Sequence, residues 1–501
     1  MKHIIHKLYR PAALALCLCA ALTFASCDDF LDMQPTNSGN AEEAVRTVRD
    51  AQVVLNGVMS AMTSYAYYGR NMFMYADAKG GDLTIYMAGR GLDDLYTFNH
   101  TPTTGTYSGF WSQIYYCILQ VNTLLDNIDR LEAEGSEEDF TFARGQALTL
   151  RALFYFDLVR LYGLPYTYDK ASLGVPNITR PLDVSAQPTR ATVEENYRQI
   201  VADLEEAEPL LATDKSPQDG YVGYYANLAL QARVKLYMAD YDGALAAART
   251  VIDDGAYTPY EPGEWVDSWS HQYGSESILE LAILNDESDL GTSSLGFYLM
   301  RDGQLDGAMG WFLASDYFLD RLGQDPADVR WGVMDNDEYW VRTGQERHGS
   351  CYKYMGGTGL KGDGKDKNTA VNIKLIRLSE VYLIAAEAAL HASAPDAAAA
   401  ATYLNQVRRR SPGLPAATAA TVSDDMIMDE RSKELFAEGH RYFDMLRTGR
   451  TVEYNDDFQD VPVTQRGKTV DCSFGRAVLP IPQDEINANP ALVDEQNEGY
   501  R

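Results

Sequence analysis

Two stretches of this chain each read as a pair of helices joined by a tight turn, and nothing else in it constrains the fold as strongly. The first, "YYANLALQARVKLYMADYDGALAAARTVIDDG", turns between Asp240 and Gly243. The second, "LIRLSEVYLIAAEAALHASAPDAAAAATYLNQVRRR", places Pro395 where the first turn of its second helix is expected. Isolated helices of this length are marginal in water, so each pair must bury an apolar face against neighbours. Alanine fills the positions where helices approach one another, which points to stacked helical hairpins.

The repeat length lies near that of tetratricopeptide units, although the W-x2-L-G signature of that repeat is absent. Other segments extend the pattern. "NAEEAVRTVRDAQVVLNGVMSAM" aligns Ala44, Val45, Val48, Ala51, Val54 and Leu55 on one helical face. "FWSQIYYCILQVNTLLDNIDRL" does the same with Ile114, Ile118, Val121 and Leu125. "TFARGQALTLRALFYFDLVRLYG" is a further helix, ended by Gly163 and Pro165. Thr192 and Glu195 form the S/T-x-x-E capping box that opens another. The fold expected is mainly α, with tetratricopeptide-like stacked hairpins and irregular, loop-rich insertions.

Two regions break the helical periodicity. "AKGGDLTIYMAGRGLDDLYTFNHTPTTGTYS" is a glycine-rich, aromatic loop or small β-element. Residues 256–370 are richer in Trp, Tyr, Gly and Asp and read as an insertion. The ending, "RAVLPIPQDEINANPALVDEQNEGYR", reads as an extended segment over the surface. The organisation expected is residues 1–26, 27–40, 41–255, 256–370 and 371–501, with 27–501 as one compact unit.

The first of those segments is a secretory signal: Lys2, Lys7 and Arg10 precede an apolar run from Ala12 to Ala25. That run is shorter than the roughly 20 residues a spanning helix needs. Cys27 follows at once, in "TFASCDDFLD", and residues 27–40 form a polar tether. Of the remaining cysteines, Cys117, Cys351 and Cys472 are scattered without a C-x-x-C, which fits neither a disulfide framework nor a zinc site. The formal net charge is −29, and removing the signal makes it more acidic. Such a surface repels nucleic acid, so no nucleic-acid partner is expected.

Catalytic signatures are sparse. "GTGLKG" (357–362) and "GLKGDGK" (359–365) resemble nucleotide-binding loops but lack the strand and helix that such loops join. Neither "DNDEY" (335–339) nor "GDGKDKN" meets the EF-hand spacing, so no cofactor is expected and a structural Ca²⁺ has no support. "DERSKELFAEGHRYFDMLRTG" (429–449) carries Glu430, Glu434 and Glu438 at i, i+4, with Arg431, Arg441 and Arg447 as available partners. A glycosidase needs two carboxyls about 5 to 9.5 Å apart, one of them protonated. Arginines nearby favour the charged form, so a helix-borne ion-pair network is the better reading.

That same stretch resembles the E-R-x-x-E-L-x-x-E-G-x-R-x-x-D-x-x-R-x-G signature of the SusD/RagB family of Bacteroidetes outer-membrane lipoproteins. Glu430, Arg431, Glu434, Leu435, Glu438, Gly439, Arg441, Asp444, Arg447 and Gly449 fit it. Tyr442 and Thr448 depart from it, where the family often has Trp. "CDDFLDMQPT", "RALFYFDLVRLYG", "IRLSEVYLIAAEA", "LNQVRRR" and "LPIPQDEINANP" extend the resemblance across almost the whole mature chain.

The resemblance implies a binding protein, not an enzyme. It would sit on the outer face of the outer membrane and cap a SusC-like TonB-dependent transporter as a lid, delivering a glycan. A peptide ligand is the alternative within the family, and a surface glycoside hydrolase the alternative outside it. Phe24-Ala25-Ser26-Cys27 resembles a lipobox, with Phe in place of the usual Leu, making Cys27 the lipidated first residue. The family pocket lies among the early loop and the central insertion. Candidate ligand-binding residues there are Tyr86, Arg90, Tyr96, Asn99, His100, Trp311, Tyr339 and Trp340, while Trp265 and Trp269 read as packing.

Overall fold

The computed structural model describes residues 45–85, 92–103, 105, 109–283, 290–301, 308, 310–337, 344, 346–355, 371–456 and 462–501. Its helices form one continuous row. Helix α1 (Val48–Met62) and α2 (Asn71–Lys79) are followed by α3 (Gly109–Ala133), α4 (Thr141–Tyr162) and α5 (Val193–Leu211). Then come α6 (Tyr224–Tyr237), α7 (Tyr241–Asp253), α8 (Leu378–His391), α9 (Ala397–Arg408), α10 (Asp424–Glu434) and α11 (Arg441–Arg447). Helix α1 packs on α3, and from there α3, α4, α5, α6, α7, α8 and α9 each pack on the next. The stacked hairpins expected from the sequence are therefore present, with residues 254–377, about a quarter of the chain, running between α7 and α8. Residues 47–501 form one compact unit. No helix among the described residues is long and apolar enough to cross a membrane.

Local signals explain most helix ends. Thr192 and Glu195 make the reciprocal capping box at the start of α5, with Thr192 N–H donating to Glu195 Oε2 at 2.8 Å. Asp240 caps α7 through the Gly243 N–H. Two expectations need correction. Helix α1 begins at Val48, because Thr47 and Asp50 form a second capping box there. Pro395 lies outside α9, whose N-cap is Asp396.

Close approach decides the helix spacing. At Gly145 on α4, a Cβ would stand 2.8 Å from Leu211 Cγ of α5, so only hydrogen fits. Buried ion pairs join the layers: Arg151 Nε donates to Asp203 Oδ2 at 2.8 Å, and Arg233 Nε to Glu380 Oε1 at 2.7 Å.

Two short antiparallel ribbons fix the loop-rich part. Strand β1 (Leu83–Ile85) pairs with β3 (Phe312–Ala314) in the register Leu83↔Ala314, Thr84↔Leu313 and Ile85↔Phe312. Strand β2 (Ser277–Leu281) pairs with β4 (Ile373–Arg377), at the two roots of the excursion. The C-terminal segment runs back over the N-terminal helices, as its composition suggests. Leu479 N–H donates to Leu161 O, Asn497 Nδ2 to Tyr162 O, and Arg190 Nη1 to Glu495 O at 2.6 Å.

Candidate functional site

The β1–β3 ribbon brings the early loop and the central insertion side by side. Its register ends at Ile85↔Phe312, so Trp311 is the next residue outward on one strand. Trp311 meets Tyr298 edge to face, with ring centroids 5.0 Å apart. Tyr298 Oη accepts from Arg70 Nη1 at 3.1 Å, and the Arg70 guanidinium lies 4.8 Å from the Tyr298 ring and 5.1 Å from that of Tyr65. Arg70 is buried, and this burial lowers its pKa, opposed by Tyr298 and Tyr65. Tyr65 is half exposed. The group combines aromatic rings with a fixed guanidinium, the mixture that suits the apolar and hydroxylated sides of a sugar, but Trp311, Tyr298 and Arg70 are buried and only the Tyr65 ring is open to solvent.

Tyr65, Arg70 and Tyr298 are not among the candidates that the sequence pattern singles out. A signal existed in "SYAYYGRN" (64–71), an aromatic run closed by Gly-Arg just ahead of the loop.

The other candidates divide. Tyr86, Arg90, Tyr339, Trp340 and Cys27 lie outside the described residues. Asn99 is exposed. Tyr96 and His100 are fully buried, contrary to their expected place in an open pocket. Tyr96 Oη donates to Asp456 Oδ1 at 2.9 Å beneath the Arg466 guanidinium, and burial pushes its hydroxyl up to about 12. His100 is held between Lys79 Nζ at 2.9 Å and Tyr500 Oη at 2.6 Å. Burial, then the Lys79 charge, lowers the imidazole pKa well below its usual value. Both side chains fasten the C-terminal part of the chain to the early loop.

The charged signature is a buried lattice. Glu434 pairs with Arg410, with Arg377 Nη1 at 2.9 Å and with Arg330 Nη1 at 3.6 Å, and accepts from Trp265 Nε1 at 3.1 Å. Glu438 pairs with Arg377 and Lys353, and Glu430 with Arg330, Arg408 and Lys433. Burial alone would raise the Glu434 carboxyl, but Arg410, Arg377 and Arg330 together hold it far below the usual carboxylate range. An acid so held donates no proton to a leaving group.

The partners expected for these glutamates were wrong, however. Arg431 binds Asp444 (Nε to Oδ2, 2.9 Å), Arg441 reaches Asp82, and Arg447 binds Glu387 and Asp444. Adjacent helical positions point about 100° apart, so Arg431 faces away from the Glu430 side. Helix α10 also ends at Glu434, and the left-handed residues Ala437 and Gly439 carry Glu438 off its axis. Trp265 and Trp269 are packing residues, as read: Lys353 and Arg377 sit on their faces.

Comparison with known proteins agrees with this architecture. Residues 249–500 match the model of the SusD family. This chain belongs to the SusD family. Its members are binding proteins, not enzymes. Residues 29–236 match a related SusD-like model described as starch-binding and associating with the outer membrane. Among relatives of this SusD-family chain, SusD-like protein P38 of Formosa agariphila is 24% identical, covering 85% of this chain and 89% of that protein. A SusD superfamily protein from Bacteroides vulgatus is 32% identical with a TM-score of 0.81, over 91% of this chain and all of that one. A SusD-like carbohydrate binding protein from the same species is 25% identical with a TM-score of 0.71, over 91% of this chain and 99% of that one.

Proposed function

We propose that this SusD-family protein is a lipid-anchored glycan-binding protein of the outer membrane, facing the cell exterior. It delivers a glycan to a SusC-like TonB-dependent transporter that it covers as a lid. The observation that carries the glycan reading is the Tyr65–Arg70–Tyr298–Trp311 group at the end of the β1–β3 ribbon. The starch-binding description of the matching family model supports the same ligand class. Tyr65 offers the open ring from the helical side, Trp311 and Tyr298 back it from the insertion, and Arg70 directs hydrogen bonds at hydroxyls. Tyr86, Arg90, Asn99, Tyr339 and Trp340 complete the contact surface. Anchoring acts through acyl chains on Cys27, each buried methylene contributing about 0.8 kcal/mol.

Calorimetry with maltohexaose and a panel of other neutral oligosaccharides tests the reading. Tyr65→Ala should weaken binding about tenfold or more with the melting temperature unmoved, whereas Trp311→Ala should weaken binding and also lower the melting temperature, because Trp311 is buried. Unchanged affinity in both variants sinks the placement of the pocket. Capture of peptides with no sugar response sinks the glycan reading itself.

A further inference from the structure

A second cleft, sharing no residue with the Tyr65–Trp311 group, opens where the starts of α7 and α10 meet the ends of α8 and α11. Its volume is about 420 Å³. Tyr241 starts α7 and its ring lies 5.0 Å from that of His391, the last residue of α8, at 34° between planes. His391 Nε2 is 2.7 Å from Asp424 Oδ1 at the start of α10. Tyr168, more than half exposed, forms part of the lining. Met428 and Leu446 supply apolar lining.

The charges here come in pairs. Arg447 holds Glu387 by a two-pronged bridge, with Nη2 to Oε2 at 2.8 Å, and Arg450 meets Asp425 at 2.7 Å, while Asp424 shares a hydrogen bond with the His391 ring. With Glu387 and Asp425 matched by arginines, the cleft presents no large field of either sign, so it does not select ions. It does present planar, bidentate hydrogen-bonding groups beside flat rings, and a volume at the lower end of small-ligand pockets. Those are the demands of an uncharged ring bearing hydroxyls. We propose that this cleft is a second saccharide site, taking the neutral end of a short glycan with Tyr168 and Tyr241 as stacking faces and Asp424 and Glu387 as hydroxyl acceptors. This rests on the glycan reading above, and it gives the protein two separated contacts on one polymer, so that binding the second becomes an intramolecular event.

The test follows histidine ring resonances of the full chain by NMR during titration with maltose at constant pH, the His391 signal being assigned by its loss in His391→Ala. The expected result is a saturable shift of that signal in the wild type and equally in Tyr65→Ala, lost in Tyr168→Ala. Tyr168 is exposed, so this last variant should melt as the wild type does. A still His391 signal while maltohexaose titrates the Tyr65–Trp311 group overturns the second site alone. A shift that persists in Tyr168→Ala also overturns it. Absence of any sugar response at either place overturns both readings.

Discussion

Replacing Glu434 by Gln removes one negative charge, and little volume, from a place where three guanidiniums converge. The side chain is fully buried, and its partners Arg410, Arg377 and Arg330 are buried with it. Breaking a buried pair by removing one partner costs about 3–5 kcal/mol, because the remaining charge stays desolvated. Glu276, Glu438 and Glu430 still neutralise part of the cluster, so the lower end of that range, ~3 kcal/mol, is expected. Urea unfolding read by tryptophan fluorescence measures it, since Trp265 and Trp269 sit on the cluster. The pH dependence has a definite sign. Glu434 titrates below its unfolded value of about 4.3, so its contribution is present above that pH and lost as pH falls through the folded value. The gap between wild type and variant should therefore hold constant from pH 8 to about 5 and narrow below it. A loss under about 1 kcal/mol, typical of an exposed pair, would refute the buried-lattice argument, as would a gap that widens in acid.

Asp77 gives the opposite slope. Burial raises its carboxyl to about 8, only partly offset by the Gly439 N–H it accepts at 2.8 Å. An acid raised by folding is most stabilising when protonated, so wild-type stability should fall by roughly 1.4 kcal/mol per pH unit between about pH 4 and 8. Asp77→Asn keeps an acceptor for Gly439, and its melting curve should overtake the wild type as pH rises through that window; parallel profiles would count against it. Gly439 has φ +81° and a Cβ there would meet Phe73 Cδ1 at 2.8 Å, so Gly439→Ala should lose about 2 kcal/mol or more in denaturant unfolding. Gly57→Ala, in open space on α1, should lose nothing or gain up to about 1 kcal/mol. Cys27→Ala should abolish palmitate labelling and release the protein from the outer-membrane fraction; retention there would remove the anchor.

The helical row was readable because its information is local. A capping box such as Thr192–Glu195, a Gly-Pro stop after Tyr162 and an alanine face each act within a few residues. Partner choice in the charged signature was not readable. Glu434 meets Arg330, Arg377 and Arg410, which lie far apart in sequence, and only tertiary packing around α10 brings them together. The site divided in the same way. That the early loop meets the insertion came through family resemblance, and the β1–β3 register realises it. Which side chains face outward did not, because an aromatic in a loop can equally well be Tyr96, sealed under Arg466, or Tyr65, open to solvent.

The return of the C-terminus has a consequence for how the chain must mature. The carbonyls of Leu161 and Tyr162, at the end of α4, receive donors from Leu479, Arg190 and Asn497. His100 waits likewise for Tyr500. A polypeptide emerging from its first residue onward therefore lacks the last clasps on its opening helices until its final residues arrive. Contacts so distant in sequence are closed late and slowly. Removal of Asn497 or Tyr500 would therefore be felt hundreds of positions upstream, at Tyr162 and His100.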